Sequence, residues 1–152
     1  MTKFSFSKNE SGIAFFELFI VLLLIIGLLF IIFATYSGVE AKSRNSTRQK
    51  NVNSIHQALE QYYAENNQYP TLSELNNTVW ITNNMKYLDH GLLKDPRGKD
   101  EQLSQSPTKN SYSYTVTSIS GSKCNDTTIK CGQYIITAEL EGGGKFTASS
   151  LN

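Results

Sequence analysis

The hydrophobic and polar positions divide the chain into stretches of different period. Residues 18–34 form a run of seventeen without a polar side chain, in which only Gly27 interrupts the bulky pattern. A helix over residues 13–34 would be ~33 Å long at ~1.5 Å per residue, and a bilayer's hydrocarbon layer is ~30 Å thick, so the stretch can span a membrane. Beyond it the apolar positions thin to a stripe. Val52, Ile55, Leu59 and Tyr62 recur at intervals of three and four, as on one face of an amphipathic helix. His56, Gln57, Glu60 and Gln61 fill other faces, and His56 reads as a partly covered polar neighbour, not a ligand. The helix is expected to end near Asn66 and Asn67, ahead of Tyr69-Pro70.

The remainder is polar and broken into short elements. Thr71-Leu72-Ser73-Glu74 has capping-box form, predicting a short helix over residues 72–77. Residues 80–93 read as a connecting region in which Trp80, Met85, Tyr87, Leu88 and Leu92 pack on the long helix; core packing is favoured over a pocket around Trp80. Asp95-Pro96-Arg97-Gly98 predicts a β-turn, because proline presets its second position and glycine suits its fourth. Alternation of Tyr112, Tyr114 and Val116 with Ser113, Thr115 and Thr117 predicts one strand. Residues 133–140 predict a second, with Tyr134, Ile136, Ala138 and Leu140 on one face. Gly142-Gly143-Gly144 turns the chain into a third over residues 145–149.

Composition narrows the possible functions. The chain has 152 residues with 14 Lys and Arg against 13 Asp and Glu, a net charge of +1. No basic excess indicates nucleic acid as a partner. With so many residues in the long helix, the head has only a modest core. No nucleophile elbow, phosphate-cradling glycine loop or metal-ligand cluster points to an enzyme or a cofactor. Cys124 and Cys131 flank a loop in the polar half. They suggest a disulfide if the head is exported, worth roughly 2–3 kcal/mol for so short a loop, or two thiols if it is cytosolic. Asp95, Asp100 and Glu101 are the best acidic group, weak as calcium donors and better read as a solvated loop. The Asn-x-Ser/Thr triplets at Asn45, Asn76 and Asn125 read as chance in an asparagine-rich chain.

Glu17 is the anomaly of the apolar run. A carboxylate within such a span costs roughly 2.5–3.5 kcal/mol, so it is expected either to have a function or to lie close enough to the interface to reach water. A short charged segment precedes it, then Gly12-Ile13-Ala14-Phe15-Phe16-Glu17-Leu18. Cleavage after Gly12 would give Ile13 a cationic amine four residues before Glu17, its natural counter-charge. These residues resemble the type IV pilin and pseudopilin signature. Ala58-Leu59, Tyr62, Asn66 and Tyr69-Pro70 resemble the end of the same helix in pilins and G-type pseudopilins, whose Asp-Pro-x-Gly turn is matched at residues 95–98.

The resemblance implies prepilin peptidase cleavage between Gly12 and Ile13 and methylation of the Ile13 amine. It also implies a pairing of Glu17 with the Ile13 amine of a neighbouring subunit. Some pseudopilin heads hold calcium in a carboxyl-side loop. Ser11 stands where the family usually has Lys or Arg, and Ile13 where it commonly has Phe or Met.

The expected architecture is an α+β pilin fold, a long amino-terminal helix packed against a small antiparallel sheet. Its parts are a leader (residues 1–12), a hydrophobic assembly helix (13–36), its amphipathic continuation (37–68) and a globular head (69–152). The expected function is a subunit of a type IV pilus-like filament, serving adhesion, twitching or DNA uptake. The alternatives are a type II secretion pseudopilin and a single-pass anchor carrying a ligand-binding domain. Implied partners are other pilin subunits, the prepilin peptidase, a membrane assembly platform and, before assembly, lipid. Lys42, Arg44, Arg48 and Lys50 follow the span, and the positive-inside rule alone would keep that side in the cytoplasm. The resemblance and the cysteines place the head outside instead, with the basic residues spread over a filament surface or lipid headgroups.

Overall fold

The computed structural model describes residues 11–124 and 129–151, with the side chains of residues 11–14, 34, 35 and 37 left out. The leader up to residue 10 and the Asn125 triplet lie outside the described residues. Element order is α1 (Ser11–Asn66), α2 (Leu72–Leu75), α3 (Thr78–Asn84), a 3-10 turn (His90–Leu93), then β1 (Ser113–Thr117), β2 (Gln133–Glu139) and β3 (Lys145–Ser149). The chain divides into two units, Met1–Glu40 and Ala41–Asn152.

In the first unit the described chain is helical, and its apolar side chains are uncovered. The large ones between Phe15 and Phe33 range from 45 % exposed at Ile20 to 76 % at Phe30. Nothing among the described residues covers them, and an apolar surface of this size suits a lipid or protein environment.

The second unit is an α+β head with one core. Val52, Ile55, Leu59 and Tyr62 are buried, as their spacing requires, against Tyr114, Val116, Tyr134, Ile136 and Ala138 of the sheet. Strand order is β1-β2-β3, both pairs antiparallel. Register places inward residues opposite one another: Tyr114 faces Ile136, Val116 faces Tyr134, Ile136 faces Ala148, and Ala138 faces Phe146. Because side chains alternate, this register alone lets all three strands turn one face to α1.

Local signals set most boundaries. α1 ends at Asn66, and Asn67 takes the left-handed conformation (φ 53°) that closes many helices. The capping box at Thr71 and Glu74 forms, although α2 stops at Leu75. The Gly98 amide donates to the Asp95 carbonyl at 2.8 Å, closing the predicted turn. Gly98 has no substitute there, since a Cβ would lie 2.6 Å from the Asn110 carbonyl oxygen.

The connecting region holds α3, capped by the Asn77 side chain accepting from the Trp80 amide, and the 3-10 turn, capped by Asp89, and one expectation for it needs correction. Tyr87 does not pack on the long helix; it is 73 % exposed. Met85 and Leu88 are buried, and Trp80 packs on Tyr62 with ring centroids 5.5 Å apart. Asn76 has a role in the packing of the head. Its side chain pairs with the Leu103 backbone through both its amide donor (2.9 Å) and its oxygen acceptor (2.8 Å), as a strand would.

Candidate assembly site and head clamp

The assembly candidates lie at the start of α1. Gly12 and Ile13 are in its first helical turn, with side chains not described. Glu17 follows Ile13 by four residues, about one helical turn, so both lie on one face. Its exposed side chain stands between exposed Phe16 and Leu18. Phe15 to Phe33 thus offers an uncovered apolar helix carrying one acid near its start.

The second constellation was missed by sequence reasoning. Arg48 is 0 % exposed, lying four residues before Val52 on the buried stripe of α1. Its Nε and Nη2 donate to Asp95 Oδ2 and Oδ1 at 2.7 and 3.0 Å, a two-pronged pairing. Nη1 donates to Glu141 Oε1 at 2.9 Å and to Asn45 Oδ1 at 3.0 Å. Arg44 grips the same Glu141 through Nε (2.6 Å) and Nη2 (2.8 Å), and Arg97 reaches it at 3.4 Å. Asn45 completes the tie, exchanging two 2.9 Å hydrogen bonds with the Glu141 backbone.

Each half of this clamp has a local cause. Asp95 is fixed by its own turn, where it accepts from the Arg97 amide at 2.8 Å. Glu141 opens a turn whose Gly142, Gly143 and Gly144 all have positive φ (86°, 103°, 91°), a path that side chains with a Cβ rarely take. The expectation that Arg44 and Arg48 spread over a filament surface or headgroups is therefore corrected. Both are committed within the head, while Lys42 and Lys50 are exposed. The available signal was the stripe itself: stepping back four residues from Val52 lands on Arg48, and a buried arginine requires carboxylates.

Electrostatics follow the geometry. The hydrogen bond to Asp95 holds the Arg48 pKa above its ordinary value against the opposing effect of burial. Glu141 is drawn down from 4.5 to about 2, first by its hydrogen bond with Arg44, then by Arg48, against its desolvation. A depressed carboxylate contributes stability that is present above its unfolded pKa and lost as pH falls through the folded one. The difference in thermal midpoint between wild type and Glu141→Gln is accordingly expected to be full at neutral pH and to shrink between 4.5 and about 2. Thermal scans across that window check this; a pH-independent difference would contradict it.

A second polar group joins helix to sheet. Tyr134 and Tyr69 hydroxyls both donate to Glu60, at 2.9 and 3.0 Å. Since the Tyr134 hydroxyl has one proton, His56 Nδ1, 2.6 Å away, must be the donor in that contact. Burial, then the Glu60 bond, pushes the Tyr134 pKa above its usual value. His90 links Thr78 (3.1 Å) to Glu101 (2.9 Å), fastening the 3-10 turn to its neighbours.

Cys124 and Cys131 are both buried, their sulfurs directed at the Ile129 carbonyl oxygen at 3.8 and 3.7 Å. The acidic candidates are not gathered. Asp95 is buried in the clamp, Glu101 is bound to His90, and Asp100 is exposed. Among the described residues no group of three His, Cys, Asp or Glu could hold a metal ion.

A sequence model of the type II secretion system (T2SS) protein G matches residues 36–130. The chain belongs to the type II secretion system protein G family. The match covers well over half of the chain, from the end of the apolar run through α2, α3 and β1. It leaves out the Gly12 to Glu17 segment, so the pilin signature there and the protein G match rest on different residues. No curated protein and no solved structure matches. Protein G is a pseudopilin, so membership gives the chain the standing of a structural filament subunit. It also favours the secretion alternative over the pilus reading.

Proposed function

We propose that this chain is the G-type pseudopilin of a type II secretion machine. It would be cut between Gly12 and Ile13 by a prepilin peptidase and polymerise through α1 into a short filament that pushes proteins out of the cell. The observation that carries this is the protein G match beginning where an uncovered apolar helix with one acid, Glu17, leaves off.

The chemistry supplies a route. Before assembly the apolar half of α1 sits in lipid; afterwards the same surface lies among neighbouring helices. A carboxylate in that layer is costly without a counter-charge, and the new Ile13 amine of the next subunit supplies one, whether or not it is methylated. The contact joins two different surfaces, so it propagates as a filament instead of closing. The head would lie outside the cytoplasm, where Cys124 and Cys131 would meet an oxidising environment and join in a disulfide.

Glu17→Ala tests the reading. The variant is expected to insert in the membrane in normal amount yet assemble poorly, and exported enzymes should fail to reach the medium. Mass spectrometry of assembled material should find a chain beginning at Ile13. Material still carrying Met1, or normal secretion by Glu17→Ala, would defeat the proposal. Loss of long surface fibres with secretion intact would select the pilus reading.

A further inference from the structure

The pseudopilin resemblance allows a calcium ion in the carboxyl-side part of the head, and the described residues do not fit one. The carboxyl-side turn offers Glu141 and three glycines, and Glu141 is held by Arg44, Arg48 and Arg97. Asp95, the one buried acid among the described residues, has both carboxylate oxygens on Arg48. Both Asp95 oxygens, one Glu141 oxygen and the amide oxygen of Asn45 converge on a single guanidinium, with donor–acceptor distances of 2.7–3.0 Å. Carboxylate and amide oxygens are the ligand types that hold calcium. Here they surround a planar cation whose fork matches them and which is part of α1 itself.

We propose that Arg48 is the resident cation of this head: its guanidinium fastens the Asp95–Gly98 turn and the β2–β3 turn to α1, in place of a divalent ion. A covalently attached guanidinium cannot be chelated or exchanged, and it stays charged at every accessible pH. The head therefore folds without calcium. This concerns the fold of the head and stands whether the filament serves secretion or forms a surface fibre.

The test is thermal unfolding of the full chain in detergent, followed by circular dichroism, with excess calcium and with EDTA. The two wild-type curves are expected to coincide. Arg48→Gln should lower the midpoint by roughly 10 °C or more. Lys50→Gln, which removes an exposed charge two residues away, should leave it in place. A wild-type midpoint that falls in EDTA or rises with calcium overturns the proposal, as does an Arg48→Gln midpoint no lower than that of Lys50→Gln. Should Arg48→Gln fail to fold, the wild-type comparison decides alone.

Discussion

Arg48→Ala is expected to destabilise the head by about 3–5 kcal/mol, because it leaves a buried carboxylate without its partner. Asp95 is 3 % exposed and cannot recover in water what it loses in the protein. The loss should exceed that from removing exposed Lys42 or Lys50, where typical changes stay within about 0.5 kcal/mol. The informative comparison is a cycle with Asp95→Asn. The asparagine has no charge to strand, yet its side-chain oxygen can still accept from the Arg97 amide and keep the turn. The double variant Arg48→Ala with Asp95→Asn is expected to be more stable than the two single losses predict, by roughly 0.5–3 kcal/mol. Unfolding by urea in detergent measures each corner of the cycle. Additive losses would mean that Arg48 acts through the packing of its stem, and the ionic account would fail.

Two adjacent isoleucines supply the second large effect. Ile136→Ala should cost about 2–5 kcal/mol, and Ile135→Ala about 0.5 kcal/mol or less. The chemistry of the two substitutions is identical and only the face differs: Ile136 is 0 % exposed, opposite Tyr114 and Ala148, whereas Ile135 is 54 % exposed. Urea or thermal unfolding of the pair gives the contrast directly. A reversed contrast, with Ile135→Ala the costlier variant, would show that β2 is paired in another register, since a slip of one residue exchanges the two faces. The same register sets Tyr134 on the core side, where its hydroxyl meets Glu60. The contrast therefore also tests the polar tie between helix and sheet.

Much of this architecture was written in short-range pattern. The run over residues 18–34, the stripe through Val52, Ile55, Leu59 and Tyr62, the capping box at Thr71 and the Asp95–Gly98 turn each depend on residues within a few positions of one another. Their periods and turn chemistry are therefore visible along the chain. The same holds for the strands, whose alternation and triple glycine turn fix where the sheet begins and returns. α3 escaped because its signal is a single residue, the Asn77 cap, inside a stretch without clear period.

What the sequence by itself determined is the division of labour: an apolar helix with one acid near its start, and a polar head closing on the helix's second half. The tertiary structure alone decided which charges are spent inside the molecule. Arg48 meets Asp95 and Glu141 across 47 and 93 residues, pairings that exist only after the chain has turned back on α1. Tyr87 shows the converse, an aromatic suited to a core that the path of the chain leaves in solvent. The physical reason is common to both. Periodicity states which face of an element is to be covered, whereas the partner that covers it is fixed by the path of the whole fold.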